Sequence, residues 1–467
     1  MRKRGRNIHK FRVVIAHGWR RIHGRQRPTS TGLDAGGKRS DQSARGPSLT
    51  VRKVPGYTAR MGQFLEAVTP DEARRILARF GPIARTERVG LAHARGRVLG
   101  ADAKAPEPLP AFDRALMDGY AVRAQETFGA AETSPAYLSL AGRISMGVPP
   151  TGPLPEGASF EISTGGAMPE GADAVAMIEH CRETGSGQVE VGKAVAPLEN
   201  VLKAGEDVAA GSLLVAKGRR LRPQDVLALA AVGVDAVEVY RSPRVAVLST
   251  GDELVPADRK PGPGQVRDAN GWALAAQIED AGAIPVLLGI CRDEPERLES
   301  AIRDALAKAD AVFVSGGSSQ GARDSTADVL ARFGPPGVMA HGIAVAPGKP
   351  TILAAAGEKP LIGLPGHPVS SLVIARLFMN PLLRALGGET GPREPFVGRA
   401  KARLSRSVAS KPGREDWVRV ALRDGVAEPL LKGSGAISTA LRADGLVCIP
   451  LDAEGLAAGS EVEVALL

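Results

Sequence analysis

The chain of 467 residues is poor in aromatic residues and in cysteine, and both shortages narrow the kinds of protein it can be. Phe, Trp and Tyr together make up 4% of the residues. The three cysteines, Cys181, Cys291 and Cys448, lie far apart and form no Cys-x-x-Cys pair. This spacing argues against a disulfide framework and against a zinc site built from cysteines, and it suits a reducing cytoplasm.

Long apolar runs and several common catalytic motifs are missing as well. No run approaches the ~20 apolar residues of a membrane-spanning helix, and no apolar signal-peptide core lies near the start. There is no GxxxxGK[ST] motif, no GxGxxG behind a strand and no GxSxG elbow. These absences argue against a Walker-type ATP site, a dinucleotide fold and a serine hydrolase, and they predict a cytoplasmic protein without a membrane partner.

The formal net charge of +9 is distributed unevenly. Residues Met1 to Arg60 contain 16 Lys/Arg and 2 Asp/Glu, whereas the other 407 residues contain 44 and 49. The basic stretch has little hydrophobic periodicity, which is typical of disorder. It is either a tail for nucleic acid or an acidic surface, or an extension without a folded role, for instance from a start codon assigned too early. We favour the second interpretation and expect no nucleic-acid partner.

A chain of this length predicts several domains. A helix should begin at the capping residue Thr69 and run to about Phe80, and a second helix, Leu221 to Gly233, is expected to pack against it. A β-rich insertion would then split one discontinuous domain. The predicted divisions are a basic extension (1–60), a discontinuous linker domain (61–110 and 201–241), a β-rich insertion (111–200), an α/β domain (242–388) and a C-terminal β domain (389–467).

Strand and helix patterns alternate most clearly from Ser242 to Gly388. The buried strand patterns VAVLST, IPVLLGI, AVFV and PLIGL are separated by helical stretches, one of which Asn270 is expected to cap. Such alternation predicts right-handed βαβ units around a mostly parallel, doubly wound sheet. After Glu394 the helical patterns disappear and short alternating strands follow. The fold class is therefore predicted to be multidomain, α/β and β.

Ligands of open α/β sheets bind beyond the carboxyl ends of the strands, and the strand ends of this chain share one chemistry. AVFV runs into SGGSSQGARD (Ser315–Asp324), a Gly/Ser loop expected to end near Arg323–Ser325, where a helix begins. By itself this loop fits an anion site and a plain turn equally well. The other strand ends lead into Ser249-Thr250-Gly251-Asp252-Glu253, Cys291-Arg292-Asp293, Pro347-Gly348-Lys349-Pro350 (after the segment Ile343–Ala346) and Pro365-Gly366-His367-Pro368-Val369-Ser370.

Glycine amides, hydroxyls and Lys349 suit a phosphate or another oxyanion. Four carboxylates at the same edge would repel that anion unless a cation lay between them. The acids Asp252, Glu253, Asp293 and Asp324 therefore argue for a divalent ion with oxygen ligands, most simply Mg²⁺ held partly by ligand phosphates. In the alternative interpretation, at least one of the four caps a helix or pairs with a neighbouring arginine.

An ordered set of motifs from Met61 to Leu467 resembles the molybdopterin molybdenumtransferases, the MoeA/gephyrin E-domain family. The motifs are FDRALMDGYAVR (Phe112–Arg123), STGGAMPEGADAV (Ser163–Val175), GED (Gly205–Asp207), STGDEL (Ser249–Leu254), SGGSSQGARD, PGKP and LPGHPVS. The resemblance implies a cytoplasmic homodimer of four-domain chains, with a molybdopterin-binding α/β domain like that of the adenylyltransferase of the same pathway, MogA, and a small C-terminal β-barrel-like domain.

The implied reaction is the ligation of molybdate to the dithiolene of adenylylated molybdopterin, with Mg²⁺ required. The phosphoanhydride is cleaved, AMP leaves and the molybdenum cofactor forms. Contacts with the adenylyltransferase and with proteins that mature molybdoenzymes are left open. The alternative within the family is a non-catalytic molybdopterin-binding scaffold, and outside it a pterin- or nucleotide-modifying hydrolase with the same α/β domain.

Residue roles follow from the resemblance position by position. Asp252, Glu253, Asp293 and Asp324 are the implied catalytic acids, and Glu253, Asp293 and Asp324 among them the metal ligands. The implied substrate-binding residues are Ser249, Thr250, Gly251, Ser315, Gly316, Gly317, Pro347, Gly348, Lys349, Pro350, Pro365, Gly366, Ser370, Arg419 and Ser438, together with Asp113, Thr164 and Asp207 in the other domains. In a dimer, Asp113 and Thr164 are expected to reach the partner chain's pocket.

The chain departs from the family pattern at a few of these positions. His367 stands where the family usually has Asn, and Ser318 where a valine is common. Ala346 replaces a lysine that commonly precedes PGKP, and the loss of that charge can weaken anion binding.

Overall fold

A computed structural model describes residues 67–316 and 320–467, and for residues 320–325 it describes the backbone alone. The interpretations of the basic extension and of Gly317 and Ser318 fall outside these ranges.

The first part of the described chain is rich in short strands. Its elements are α1 (Pro70–Leu77), β1 (Thr86–Gly90), β2 (Ala103–Lys104), β3 (Arg114–Ala115), β4 (Gly119–Val122), β5 (Ala136–Ile144), β6 (Ala158–Ile162), β7 (Ala174–Met177), β8 (Cys181–Glu183), β9 (Gln188–Val191), β10 (Val201–Leu202), β11 (Leu213–Val215), α2 (Pro223–Ala231) and β12 (Ala236–Tyr240). Strands β4 to β9 form a six-stranded sheet in the order β7-β4-β6-β5-β9-β8. On both sides of this insertion the chain pairs with itself, β1 with β12 and β2 with β11, both antiparallel.

Helix α1 starts as its sequence indicates but packs elsewhere than expected. The Thr69 hydroxyl accepts a hydrogen bond from the Glu72 N–H (3.2 Å), and the Glu72 carboxylate accepts one from the Thr69 N–H (2.9 Å), which closes a capping box. The expected packing against the second helix is wrong. Ala73 and Leu77 of α1 are buried in the core of the α/β sheet, whereas Leu229 of α2 lies in a separate core.

The α/β part follows its pattern closely. Its elements are β13 (Arg244–Thr250), β14 (Leu254–Val255), β15 (Val266–Arg267), α3 (Asn270–Asp280), β16 (Ile284–Cys291), α4 (Pro295–Lys308), β17 (Ala311–Gly316), α5 (Gln320–Ala331), β18 (Pro336–His341), β19 (Val345–Ala346), β20 (Ile352–Ala356), β21 (Lys359–Leu364), α6 (Pro368–Ile374) and α7 (Asn380–Leu386), with a π-helical turn (Ala375–Met379) joining the last two. The sheet has the order β16-β13-β17-β21-β20-β18. The pairings among its first four strands are parallel, and the pairings β21–β20 and β20–β18 are antiparallel, which confirms a mostly parallel sheet.

Alternate residues of each strand face opposite layers of helices, as the pleat requires. Val245 and Val247 of β13 lie in the core with α3, α6 and α7, whereas Ala246 and Leu248 lie in the core with α4 and α5. Strand β17 is buried on both faces. Because helices cover both faces, the predicted doubly wound α/β class is confirmed.

The helix from Pro368 to Leu386 is long and apolar enough to cross a membrane, judged by length and composition alone. However, 78% of its most apolar window is buried inside the molecule. Val369, Ile374 and Leu383 pack in the core against the sheet. The apolar composition of this helix is therefore accounted for by its place in a protein core.

The C-terminal part is a closed barrel. Its elements are β22 (Gly398–Leu404), β23 (Val408–Ala409), β24 (Glu415–Arg423), β25 (Val426–Pro429), α8 (Ile437–Leu441), β26 (Gly445–Ile449), β27 (Gly455–Leu456) and β28 (Glu461–Leu466). The order β24-β25-β22-β28-β26 closes through a pairing of β26 with β24, which makes five strands. The β-barrel expectation is confirmed, although one short helix, α8, interrupts a region expected to have none. The segment Ile343–Ala346 was expected to end in the central sheet. Instead, Val345–Ala346 forms strand β19, which pairs with β24 of the barrel.

Glu389 joins three parts of the molecule through a buried ion cluster. Its carboxylate accepts hydrogen bonds from Arg384 on α7 (2.8 Å) and from Arg220 before α2 (3.0 Å). Arg220 also donates to the carbonyls of Gly96 and Ala281. Burial by itself would raise the pKa of Glu389, but the bonds from Arg384 and the charge of Arg220 lower it overall.

We expect Glu389→Gln to lower the stability at pH 7 by roughly 3 kcal/mol, because it leaves two arginines without their counter-charge. A carboxylate with a lowered folded-state pKa contributes its stability above the ordinary pKa of Glu, and that stability is lost as the pH falls through the folded value. The deficit of the variant should therefore shrink below about pH 4. Thermal unfolding across this pH range measures it.

A matched control is Glu461→Gln, which breaks an exposed ion pair with Lys401 (2.9 Å) in the barrel. Its effect on the unfolding midpoint should be small, since exposed pairs are screened by solvent. Equal shifts for the two variants would contradict the role of Glu389.

Candidate active site

Three neighbouring strands end side by side, which places their following loops together. Thr250 at the end of β13 is in register with Cys291 of β16 and with Gly316 of β17. All three strands are parallel, so their carboxyl ends face one edge of the sheet. The predicted convergence of the loops after VAVLST, IPVLLGI and AVFV follows from this register.

Thr250 fixes one of the predicted acids. Its hydroxyl donates to Oδ1 of Asp293 over 2.6 Å, from the loop of the adjacent strand. Thr250 is 1% exposed, so the anchoring hydroxyl is held in the core while Asp293 is half-buried. The Asp293 carboxylate is therefore held at the sheet edge through Oδ1, and its other oxygen, Oδ2, can serve as a ligand.

The other two acids near this point are more exposed. Asp252 lies 3.6 Å from Arg292, and both side chains are about two-thirds exposed. This is the pairing that was expected for at least one acid. The Glu253 carboxylate lies over Gly251, 2.7 Å from the place that a Cβ of that glycine would take. The Glu253 carboxylate therefore lies against the turn after β13.

Cys291 ends the edge strand β16 but is not a reactive thiolate. Burial and the neighbouring Asp293 carboxylate raise the pKa of the Cys291 thiol. The thiol therefore stays protonated at neutral pH, which argues against a nucleophilic role.

The Gly/Ser loop begins with a glycine that no other residue can replace without displacement. Gly316 has φ +137°, and a Cβ there would lie 1.8 Å from the Thr250 carbonyl oxygen. The loop is also shorter than expected, because α5 starts at Gln320 and places the backbone of Asp324 inside the helix. The side chain of Asp324 falls outside what the structure describes.

The residue expected to cap α3 has another role. Asp268, not Asn270, caps the helix, since Asp268 Oδ1 accepts from the Gly271 N–H (3.0 Å). Asn270 instead donates through Nδ2 to the Ser315 hydroxyl and to the Gly366 carbonyl, both at 2.9 Å. Sequence reasoning missed this link because Asn at a helix start is so often a cap. Asn270, Ser315 and Gly366 are far apart in the chain, and no sequence pattern indicates that they meet.

The PGKP loop reaches the same edge, although not for the expected reason. Strand β18 runs antiparallel to β20, and β20 antiparallel to β21, so β18 has the direction of the parallel strands. The connection from β18 to β20, which contains Pro347–Pro350, therefore lies at their carboxyl ends. Lys349 is exposed there, and Gly348 packs so closely on Ile374 that a Cβ would lie 2.3 Å from its Cγ1.

The barrel contacts the LPGHPVS loop through one of its own loops. The Ser434 hydroxyl lies 3.0 Å from His367 Nδ1, and the Ser434 carbonyl accepts from the Val369 N–H (3.1 Å). Arg419 donates to the Lys432 carbonyl (2.6 Å), which shapes this barrel loop. Burial lowers the pKa of Arg419, and Ser438 is exposed on α8.

The predicted residues of the insertion and linker regions have local partners. Asp113 is paired with Lys203 and accepts from the Ala204 N–H (2.8 Å). Partial burial would raise the pKa of Asp113, but these bonds lower it overall. The Thr164 N–H (2.7 Å) and hydroxyl (2.9 Å) both donate to Asp118, and these bonds lower the pKa of that acid.

Asp207 is exposed. Within residues 67–316 and 320–467, no hydrogen bond or ion pair joins Asp113, Thr164 or Asp207 to the strand-end loops. Whether they belong to the same site stays a prediction.

The carboxylates of the strand-end loops bear on the predicted metal site. In the described part of the chain, no group of three His, Cys, Asp or Glu side chains is close enough to hold a metal ion. Asp293 and Glu253 nevertheless supply the hard oxygen ligands that Mg²⁺ prefers. Two carboxylates at this edge suit an ion that a ligand's phosphates also hold.

Comparison with known proteins identifies matches along most of the chain. Residues 68–233 match the family described as MoeA N-terminal region (domain I and II), residues 246–385 the probable molybdopterin binding domain, and residues 401–467 the MoeA C-terminal region (domain IV). The molybdopterin molybdenumtransferase of Nostoc sp. is 35% identical over 81% of this chain and 88% of its own length. That of Bacillus subtilis is 32% identical over 86% and 95%.

A solved structure shows the same arrangement. The molybdopterin biosynthesis MoeA protein of Pyrococcus horikoshii superposes with a TM-score of 0.75 at 30% identity, covering 86% of this chain and 100% of that one.

We expect Gly316→Ala to abolish or greatly reduce soluble protein, because the new Cβ would collide with the buried backbone of Thr250. The comparison variant is Gly289→Ala on the edge strand β16 of the same sheet, where φ is +81° but nothing lies within 4 Å. It should cost only about 1–2 kcal/mol of backbone strain. Soluble yield and thermal unfolding measure both variants, and similar behaviour would contradict the close contact at Gly316.

Proposed function

Because the chain belongs to the MoeA family, the molybdopterin molybdenumtransferases, we propose that it transfers molybdate into adenylylated molybdopterin. AMP is released and the molybdenum cofactor is formed. The observation that carries the proposal is the sheet edge at which Thr250 holds Asp293 beside the in-register start of the Gly/Ser loop. An adenylylated pterin is a polyanion. Glycine backbone and hydroxyls at this edge would donate to it, and the carboxylates would hold its counter-ion.

The strand-end residues divide into two groups by chemistry. Ser315 and the glycine backbone after β17 would bind phosphate or pterin oxygens, since N–H and O–H groups donate to anions. Lys349 and Ser370, from the other two loops, would bind molybdate. Lys349 is exposed and therefore accessible to an entering oxyanion.

Asp293 and Glu253 would hold Mg²⁺ together with Asp324 and the ligand's phosphates. When bound, the ion would neutralise charge on the phosphoanhydride as it breaks. The part of this chain is to keep the Asp293 carboxylate in place, through the hydrogen bond from the Thr250 hydroxyl. Asp252, paired with Arg292, would contribute charge at the rim rather than a ligand.

The barrel would complete the pocket from the far side. Arg419 acts on the backbone of the loop that carries Ser434, and Ser434 in turn contacts His367 and Val369. We therefore assign Arg419 to shaping the loop. Ser438, exposed on α8, would be the barrel residue that touches the ligand.

We propose a cytoplasmic homodimer with molybdate and adenylylated molybdopterin as substrates. Asp113 and Thr164 would approach the pocket of the partner chain. A non-catalytic molybdopterin-binding scaffold is the competing function, and it would bind the same ligand without turnover.

Reconstitution tests the proposal directly. Purified full-length protein, adenylylated molybdopterin, molybdate and Mg²⁺ should yield AMP in step with molybdate consumed. Binding of adenylylated molybdopterin without molybdate-dependent AMP release would favour the scaffold and refute the enzyme.

Asp293→Asn should reduce this AMP release at least about 100-fold, the effect of losing one important electrostatic group at a reacting centre, and Asp324→Asn should act in the same way. Both variants should fold as the parent does. Asp280→Asn, at the far end of α3, is the matched control and should keep full turnover. Unchanged turnover in both the Asp293 and Asp324 variants would remove them from the site.

A further inference from the structure

We propose that Asn270 is a positioning residue of this site. Its amide ties the end of β17 to the loop after β21 and directs the Ser315 hydroxyl to donate toward the bound anion. The inference rests on the proposed function for the identity of the ligand, and on the geometry of two hydrogen bonds for everything else.

The orientation of the Asn270 amide is settled by its partners. The Gly366 carbonyl oxygen can only accept a hydrogen bond, so the Asn270 atom that lies 2.9 Å from it must be the NH₂ group. The same nitrogen lies 2.9 Å from the Ser315 hydroxyl oxygen. Both hydrogens of one NH₂ group are thereby shared between two strand-end loops.

Asn270 is free for this role because another residue caps the helix. Asp268 accepts the Gly271 N–H and is itself 9% exposed. A Cβ at Gly271 would lie 2.8 Å from the Asp268 carboxylate and 3.3 Å from the Ser249 hydroxyl, so α3 begins tightly against the end of β13. This contact fixes the position from which Asn270 reaches across the edge.

The hydrogen bond from Asn270 determines the direction in which the Ser315 hydroxyl can donate. A hydroxyl has one proton to donate, and Ser315 accepts rather than donates in its bond with Asn270. Its proton is therefore directed away from Asn270. Ser315 is the second-last residue of β17 and is 1% exposed, so only a ligand that comes close against the strand end would meet this hydroxyl, and it would meet it as a donor.

The consequence for Gly366 is a reduced repulsion. A carbonyl oxygen at the pocket edge carries partial negative charge and would oppose a bound phosphate or molybdate. The bond from Asn270 engages that oxygen. Asn270 thus orients the Ser315 hydroxyl as a donor and engages the Gly366 carbonyl oxygen as an acceptor. Both effects make the edge more favourable for an anion.

The test is a double-mutant cycle in the full chain, read by two measurements. Calorimetry gives the Kd of adenylylated molybdopterin without molybdate, and turnover gives kcat and KM for AMP release. The variants are Asn270→Ala, Asn270→Asp, Ser315→Ala and Asn270→Ala with Ser315→Ala. Asn270→Asp keeps the shape but has no amide donor for Gly366.

We expect either Asn270 variant to raise the Kd and the KM about tenfold or more, the range for a hydrogen bond to a charged group. Because Asn270 acts through Ser315, the double variant should bind little more weakly than the weaker single variant. Gln277→Ala is the matched control, since Gln277 on the same helix donates its amide to the Leu372 carbonyl (3.3 Å) without reaching Ser315. It should leave the Kd within about twofold, well below the effect of a lost charged hydrogen bond.

Several outcomes overturn the inference. These are a Kd for Asn270→Ala equal to that of Gln277→Ala, additive losses in the cycle, or loss of folding in both Asn270 variants, which would assign the residue to stability alone. Wild-type protein that binds the ligand but releases no AMP refutes the proposed enzyme only, and the cycle is then decided by the binding constants. Wild-type protein that does not bind the ligand refutes both.

Discussion

The parallel register of β16, β13, β17 and β21 is the constraint on which the candidate site depends. Parallel strands leave the sheet in the same direction, so the chain must deliver each following loop to one edge. The apolar faces of these strands are buried against two layers of helices, and a slip by one residue would turn every side chain to the wrong layer. The packing of the core therefore also sets which loop residues meet.

Short polar contacts then refine what the register brings together. Thr250 holds Asp293 and Asn270 links Ser315 to Gly366, each across two separate chain segments. Gly316 permits a backbone approach that a side chain would prevent. Thr250 and Ser315 are each 1% exposed, so two of these contacts are anchored in the core.

Contacts between the larger parts of the molecule serve the same edge. Glu389 and its arginines join the segment before α2 to the end of α7, and Ser434 of the barrel meets the loop after β21. Strand β19 extends the α/β part into the barrel sheet directly before the PGKP loop. The barrel is thereby connected to two of the loops that line the candidate site.

Much of this protein was determined by local pattern. Buried strand runs, helical spacing and the Thr69 capping box predicted the mostly parallel α/β sheet and its helices, because periodicity reports which faces are buried. Strand ends rich in Gly, Ser and Asp predicted which segments meet at one edge of the sheet, and the motif order indicated the family. Only the tertiary structure decided the partners: α1 packs on the α/β sheet and not on α2, Val345–Ala346 joins the barrel, and Asn270 bridges two loops while Asp268 caps α3. A pattern reports burial and turn chemistry along the chain, whereas the choice between distant partners depends on the shape of the packed core, which no single segment encodes.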